Sequence, residues 1–186
     1  MNKSTGPLSC IILAGGEGKR VGGADKGLVT YKSSPLIEHV LSSVKPQVDE
    51  IIISANRNID VYEKYGYRVI ADTSDQYQGP VAGIAAALPY CSNDRVLIVP
   101  CDMPFLPGDL VEKLASETGK DISIAESESK MQLVLLMHKK LQASIQRSLD
   151  NNQLRLMRWV KSHQPAIIHF NDDRAFRNFN NRDDLV

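Results

Sequence analysis

The chain has 186 residues, of which 42% are hydrophobic and 24% charged, and its 22 basic residues balance 22 acidic ones. This composition does not favour binding to nucleic acid or an anionic membrane, and no apolar run reaches the roughly 18 residues of a membrane-spanning helix. The first nine residues do not resemble a signal peptide, and the three cysteines lack C-x-x-C spacing. We therefore expect one domain over residues 1–186, in the cytoplasm.

Short runs rich in Ile and Val alternate with amphipathic segments through the first two thirds of the chain. The runs predict strands at residues 9–13, 50–54, 67–71, 95–100 and 121–125. The segments between them predict helices at residues 35–44, 61–65, 80–90 and 107–118. This alternation indicates an α/β fold in which helices cover both faces of a mostly parallel twisted sheet.

The last third of the chain has a different pattern. Residues 133–137 and 166–170 are expected to form further strands, and the stretch between them is helical over residues 141–161 with a break near 150–152. No internal repeat or linker interrupts the sequence. Since ligands of parallel sheets bind at the carboxyl ends of the strands, the residues that follow each strand are the candidates for function.

A glycine-rich loop follows the first predicted strand, between Gly15 and Gly27, with Lys19, Arg20 and Lys26 interleaved among the glycines. Glycine lets backbone N–H groups approach an anion closely, and the basic side chains supply the charge that a triphosphate requires. The same loop could be a surface loop without function, but that interpretation does not explain its position directly after a buried strand. The pattern predicts a phosphate-binding loop.

Two familiar phosphate-binding motifs are absent from this loop. A Walker loop needs Ser or Thr after its lysine, whereas Lys26 is followed by Gly27. A dinucleotide fingerprint needs a third glycine where Val21 stands, and an acidic residue at the end of the second strand, which ends in Ser54. A dehydrogenase is therefore disfavoured.

Aspartates follow the third and fourth predicted strands. Asp72 comes directly after the third, and Asp102 stands between two prolines after the fourth. Mg²⁺ prefers one or two carboxylates, with water and phosphate oxygens completing its shell. An aspartate in a loop often caps a turn instead, but Asp102 is expected to face the glycine-rich loop across the sheet edge. We therefore take Asp102 as the candidate ligand of Mg²⁺.

Three motifs in order identify a specific resemblance. They are Leu-Ala-Gly-Gly-x-x-x-Arg-x-Gly-Gly-x-Asp-Lys-Gly-Leu from Leu13, Gly-Pro-x-Ala-Gly from Gly79, and Pro-Cys-Asp-x-Pro-Phe from Pro100. Together they resemble the molybdenum cofactor guanylyltransferases, which join GMP from GTP to molybdopterin. The resemblance runs from about residue 9 to 185 and implies a three-layer, Rossmann-like nucleotidyltransferase fold.

The resemblance also implies roles for particular residues. Those on the nucleotide are Leu13, Ala14, Gly15, Gly16, Lys26, Ser54, Asp72 and Asp102. Lys26, Arg20 and Asp102 are implied in catalysis, Asp102 with Mg²⁺. Asn178 and Asn180, two apart on a segment expected to be strand-like, are implied in binding the acceptor.

The sequence departs from the family pattern at several places; Val21 stands where Met is usual and Val81 where Leu is usual, and both keep apolar character. Ser54 stands where Asn is usual, Met131-Gln132 replaces a His-Pro pair, and Leu154-Arg155 replaces an Arg pair. The last two lie in the acceptor half, so the acceptor is less firmly indicated than the nucleotide.

We expect GTP and molybdopterin as partners, transient contact with molybdenum-cofactor insertion proteins, and a monomer or weak oligomer. Two alternatives remain open at this point. One is a cytidylyl- or sugar-phosphate nucleotidyltransferase, which would differ in the triphosphate that it binds. The other is a non-catalytic GTP-binding module, which would never release pyrophosphate.

Overall fold

The computed structural model describes residues 6–16, 25–72 and 78–179, in which seven strands form one sheet of order β5-β4-β1-β6-β8-β7-β9. A separate two-stranded hairpin consists of β2 and β3. The strands are β1 (Leu8–Leu13), β2 (Thr30–Tyr31), β3 (Ser34–Pro35), β4 (Glu50–Ser54), β5 (Arg68–Ile70), β6 (Arg95–Pro100), β7 (Ile122–Ser127), β8 (Lys130–His138) and β9 (Ala166–His169). The helices are α1 (Leu36–Val44), α2 (Ile59–Glu63), α3 (Gly79–Ala87), α4 (Leu110–Leu114), α5 (Gln142–Asp150) and α6 (Leu156–Ser162).

The central strand β1 pairs in parallel with β4 on one side and β6 on the other. Its last residue, Leu13, is opposite Ser54 on β4 and Pro100 on β6. The carboxyl ends of these three strands are therefore level, and the loops that follow them start from the same edge of the sheet.

Helices cover both faces of the sheet, because the strands are apolar on both faces. On one face α1, α2 and α4 pack against β1 residues such as Cys10 and Ile12, and on the other α3, α5 and α6 pack against Ile11 and its neighbours. The predicted three-layer α/β fold with a mostly parallel sheet is thus confirmed. None of the helices in the described part of the chain is long and apolar enough to span a membrane.

Strand β8 runs antiparallel to both of its neighbours, β6 and β7. Ile98 on β6 is opposite Leu135 on β8, so the start of β8 extends three residues beyond the level of Pro100. At a rise of roughly 3.3 Å per residue, the β7–β8 hairpin projects about 10 Å past the strand ends. It places Met131 and Gln132 at the same edge as the glycine-rich loop.

The β2–β3 hairpin was not predicted from the sequence. Its turn residues, Lys32 and Ser33, have φ angles of 45° and 69°. Hairpin turns with positive φ usually carry Gly or Asn, so this pair gives no turn signal. The hairpin directs the chain from Lys26 into α1.

Candidate active site

The structure brings together two side chains from distant parts of the sequence, Lys26 and Asp102. Lys26 begins a 3-10 turn, Lys26–Leu28, and Asp102 follows β6. The Nζ atom of Lys26 lies 3.1 Å from Oδ2 of Asp102, and the two side chains are 22% and 12% exposed. The expectation that a basic residue of the glycine-rich loop faces Asp102 is met.

A buried carboxylate, Asp25, holds the turn that carries Lys26. Its Oδ1 accepts hydrogen bonds from the hydroxyl of Tyr62 at 2.6 Å and the N–H of Gly27 at 3.3 Å. Its Oδ2 accepts from Nδ2 of Asn58 at 3.0 Å. Asp25 belongs to the Asp-Lys-Gly motif, but no role was predicted for it. Asn58 and Tyr62 were not identified from the sequence, since a Tyr in a short helix ordinarily signals only packing.

The phenol of Tyr62 is fully buried, and Gly27 packs directly against it. A Cβ atom on Gly27 would lie 2.4 Å from the Tyr62 hydroxyl oxygen, so only glycine fits there. Burial raises the pKa of Tyr62, and Cys101 and Asp25 nearby raise it further. The phenol therefore keeps its proton and remains a hydrogen-bond donor to Asp25.

The ends of β1 and β4 are joined by short backbone and side-chain contacts. The N–H of Ala14 donates to the carbonyl of Ser54 at 2.7 Å, and Nη2 of Arg57 donates to the carbonyl of Gly16 at 2.9 Å. These contacts fix the start of the glycine-rich loop against the loop after β4.

Asp72 is held by Asn56 through two hydrogen bonds. Nδ2 of Asn56 donates to Oδ2 of Asp72 at 2.7 Å, and the N–H of Asp72 donates to Oδ1 of Asn56 at 2.9 Å. The other carboxylate oxygen, Oδ1, is buried and has no hydrogen-bond partner among the described residues. Since a buried carboxylate oxygen is costly to leave unpaired, this atom is suited to accept a hydrogen bond from a ligand.

Ser54 is buried and lies against Gly83 of α3. A Cβ atom on Gly83 would lie 2.7 Å from Oγ of Ser54 and 3.2 Å from Cδ2 of Leu13. Glycine at position 83 therefore lets the helix approach the ends of β1 and β4. The expected contact of Leu13 and Ser54 with nucleotide stays a prediction, but both lie at this edge.

The acceptor-side residues are only partly described. The N–H of Phe179 donates to the carbonyl of Asp102 at 2.9 Å, which places its neighbour Asn178 beside the Asp102 loop. Residues 177–179 follow a 3-10 turn, Asp173–Phe176, and belong to no strand of the sheet, although the backbone of Arg177 is extended. The strand-like conformation expected there stays a prediction. Asn180 and Arg20 lie outside the described residues.

The carboxylates at this edge of the sheet suit a Mg²⁺ ion that is held mainly by the phosphates of a bound nucleotide. No group of three or more His, Cys, Asp or Glu side chains in the described ranges could hold a metal alone. Mg²⁺ needs only one or two carboxylates when phosphates complete its shell, and Oδ1 of Asp102 accepts no hydrogen bond from any described residue. Asp102 therefore fits a Mg²⁺-triphosphate.

The neighbouring thiol, Cys101, does not fit the role of nucleophile. It is buried, and burial together with the charges of Asp102 and Asp25 raises its pKa well above 9.0. Since the thiolate is the reactive form, covalent catalysis through Cys101 is disfavoured.

Comparison with known proteins places this geometry among nucleotidyltransferases. The family described as "MobA-like NTP transferase domain" matches residues 10–166. The molybdenum cofactor guanylyltransferase of Shewanella sediminis is 40% identical over 178 residues, covering 93% of this chain and 91% of that protein.

Two solved structures share the fold. Molybdopterin-guanine dinucleotide biosynthesis protein A from Archaeoglobus fulgidus has a TM-score of 0.76 at 21% identity, over 95% of this chain and 94% of that one. The inositol-1-phosphate CTP transferase from T. maritima has a TM-score of 0.75 at 16% identity, over 96% and 91%. The fold alone therefore does not decide which nucleotide is used.

Proposed function

The chain belongs to the family of MobA-like NTP transferase domains and is a nucleotidyltransferase, and from that premise we propose that it transfers GMP from GTP to the terminal phosphate of molybdopterin. A phosphate oxygen of the acceptor bonds to the α-phosphorus of GTP, and the bond from that phosphorus to the β-phosphate bridging oxygen breaks. Pyrophosphate leaves, and the guanine dinucleotide form of the cofactor remains. The Lys26–Asp102 pair at the strand ends is the observation that carries the proposal.

In this proposal Lys26 neutralises charge on the phosphates. Its ammonium group already lies against a carboxylate at 3.1 Å, so a phosphate can take over the same position. The lysine ammonium group is a compact positive charge on a flexible side chain. It can stay close to the negative charge that moves to the leaving pyrophosphate. Arg20 is proposed to add to this charge from the same glycine-rich loop.

Residues 13–16 and Asp72 are proposed to bind the nucleoside. Leu13 ends β1, and Ala14, Gly15 and Gly16 follow it. Oδ1 of Asp72, which has no partner among the described residues, is suited to accept from an N–H or O–H group. The two hydrogen bonds between Asn56 and Asp72 hold Asp72 in place before a ligand arrives, which reduces the entropic cost of binding. Ser54 is proposed to line the same region.

Asp102 is the residue proposed to hold Mg²⁺. Mg²⁺ held by Asp102 would supply positive charge to the triphosphate. Asp102 is suited to this role because the β6 end and the hydrogen bond from Phe179 fix its backbone.

No strong general base is required for this reaction. The second pKa of a phosphate monoester is about 6, so the acceptor oxygen is already largely deprotonated near neutral pH. The protein's contribution is to align the acceptor with the α-phosphate and to neutralise charge. Asn178 and Asn180 are proposed to orient the acceptor.

The seven-stranded sheet takes its first strand from Leu8–Leu13 and its last from Ala166–His169, which supports the proposal that residues 1–186 form a single domain with a nucleotide half and an acceptor half. We further propose a cytoplasmic location, transient contact with molybdenum-cofactor insertion proteins, and a monomer or weak oligomer.

The function is tested by measuring pyrophosphate release with each of the four nucleoside triphosphates, with and without molybdopterin. Release is expected with GTP, Mg²⁺ and molybdopterin together. Release with CTP and a different phosphorylated acceptor would contradict the guanylyl assignment. Binding of GTP with no release under any condition would contradict transfer.

The site is tested by single-turnover transfer in Asp102→Asn. A loss of about two orders of magnitude is expected, which is a barrier increase of roughly 3 kcal/mol and typical of a metal or charge-stabilising contact. Asp109→Asn is the matched control, since Asp109 is exposed and pairs only with Lys113 among the described residues. If Asp102→Asn kept more than a tenth of the rate, the metal assignment would be wrong.

A further inference from the structure

A second concave site lies between helices α5 and α6. Its volume is about 480 Å³, which is within the range of small-molecule pockets. Because α5 and α6 cover β7 and β8 on the face opposite α1 and α4, the pocket contains none of the residues proposed to bind nucleotide, and not Asn178. It does contain the Leu154-Arg155 pair.

The pocket is lined by three arginines, Arg147, Arg155 and Arg158, and by no carboxylate. None of the three forms an ion pair in the ranges that the structure describes, although all are exposed. The carboxylate of Asp150, on the same helix as Arg147, accepts from Nε2 of Gln146 and does not line the pocket. Three like charges around one concavity repel each other, and an anion would relieve this repulsion.

The floor of the pocket is polar and held in place. Oγ of Ser144 accepts from Nε1 of Trp159 at 3.2 Å and bonds Nε2 of His163 at 3.0 Å. The other ring nitrogen of His163 bonds the carbonyl of Trp159 at 2.9 Å. This closed set of hydrogen bonds ties α5 to α6.

A second serine in the floor has an unused hydroxyl. The residue Ser148 lines the pocket and is only 7% exposed, and its Oγ has no hydrogen-bond partner among the described residues. A ligand oxygen that reached this hydroxyl would form a hydrogen bond with it. The carboxamides of residues 151–153 complete the rim.

We propose that this pocket binds a multiply charged phosphate anion of nucleotide size, at a site separate from Lys26 and Asp102. Guanidinium groups match phosphate oxygens with paired hydrogen bonds, and three of them balance the charge of a di- or triphosphate. An acidic protein surface could contact the exposed arginines but could not reach Ser148. The inference is independent of the proposed function.

Fluorescence gives a direct test, because Trp159 is the only tryptophan in the sequence and its ring forms part of the pocket. The full chain is titrated with inorganic pyrophosphate without Mg²⁺, at ionic strength held constant with sodium chloride. A saturable change in emission is expected. The Arg147→Gln/Arg158→Gln double variant should bind about tenfold more weakly, equivalent to about 1.4 kcal/mol.

Two matched variants make the test specific. Arg174→Gln removes an exposed arginine outside the pocket and should leave the affinity unchanged. Lys26→Ala should also leave the titration unchanged, which separates this site from the proposed active site.

Guanosine diphosphate is the second probe, since the pocket has room for a nucleoside beyond two phosphates. Equal or tighter binding than pyrophosphate is expected, and binding more than about tenfold weaker would overturn the nucleotide-size assignment. The proposal as a whole is overturned if sodium chloride alone gives the same emission change, if the double variant binds pyrophosphate like the wild type, or if Lys26→Ala abolishes the signal.

Discussion

The hydroxyl of Tyr62 donates a 2.6 Å hydrogen bond to Oδ1 of Asp25, the residue directly before Lys26. The same hydroxyl occupies the space that a side chain on Gly27 would need. Tyr62 therefore contacts the chain on both sides of Lys26. A buried residue of α2 thus sets the position of a residue proposed to bind phosphate.

Replacing Tyr62 with Phe should weaken triphosphate binding by about tenfold and lower the free energy of unfolding by about 1.5–3 kcal/mol. The reason is that Asp25 loses a charge-assisted hydrogen bond and the turn with Lys26 loosens. Urea unfolding and calorimetric titration with Mg²⁺-GTP measure the two effects. Tyr65→Phe is the control, because its hydroxyl contacts the exposed Glu38 at 3.3 Å. Equal nucleotide affinity in Tyr62→Phe and wild type would contradict a positioning role.

Gly83→Ala should destabilise the protein although alanine favours helices by about 1 kcal/mol over glycine. The added methyl would lie 2.7 Å from Oγ of Ser54, and such overpacking typically costs about 1–3 kcal/mol. Thermal unfolding should show a lower midpoint, with partial recovery in the Gly83→Ala/Ser54→Ala double variant. Gly108→Ala, which has open space around it, should have no such effect. No recovery in the double variant would mean that the contact with Leu13 dominates.

Acid stability should depend on Glu50, which accepts hydrogen bonds from Ser9 and from the N–H and hydroxyl of Ser92. Partial burial raises the pKa of Glu50, but these bonds and the charge of Lys139 outweigh it, so the pKa falls below 4.5. Because the pKa of Glu50 is lower in the folded state than in the unfolded state, Glu50 stabilises the fold at a pH above its unfolded-state pKa. This stabilisation is lost as the pH falls through the folded-state pKa. Glu50→Gln should therefore be less stable than wild type at about pH 7, with the difference shrinking below about pH 4.5. A difference in urea midpoint that stays constant across this range would refute the linkage.

The three cysteines should be inert in the folded protein. All are buried, and burial raises the pKa of Cys91 to about 12 and that of Cys10 and Cys101 well above 9.0. Iodoacetamide should modify none of them near neutral pH until the chain is unfolded, as mass spectrometry can show. Cys101→Ala should keep most of the transfer rate, and rapid labelling of Cys101 in the native state would contradict its assignment as a packing residue.

The sheet was predictable where apolar runs are long. The predicted strands at residues 50–54 and 95–100 coincide with β4 and β6, and the predicted helix break near 150–152 separates α5 from α6. Asp102 and Lys26 were predictable as partners because both follow parallel strands. The helix predicted at residues 107–118 is only Leu110–Leu114, since the apolar pattern continues into turns.

The hydrogen bonds that position the turn with Lys26 could not be predicted from the sequence, for a physical reason. Asp25, Asn58 and Tyr62 are separated by up to 37 residues and show no periodicity, and their hydrogen bonds arise only when α2 packs on the sheet. Asn58, moreover, has a φ of 51°, a conformation that its neighbours in sequence do not signal. Sequence patterns predict which strand ends lie next to each other. The buried groups that position the loops at those ends are determined by tertiary packing.

The reversal of β8 has a consequence for how the protein can diversify. The hairpin between β7 and β8 ends in Glu128 and Ser129, both with positive φ, above the edge of the sheet where Lys26 and Asp102 lie. Adding or removing residues in matched pairs at this tip would preserve which side chains face inward, because strand alternation has a period of two. The length of the β7–β8 hairpin can thus change by insertion or deletion while β1, β4 and β6 keep their register. A change of length at this tip therefore leaves the positions of Lys26 and Asp102 untouched.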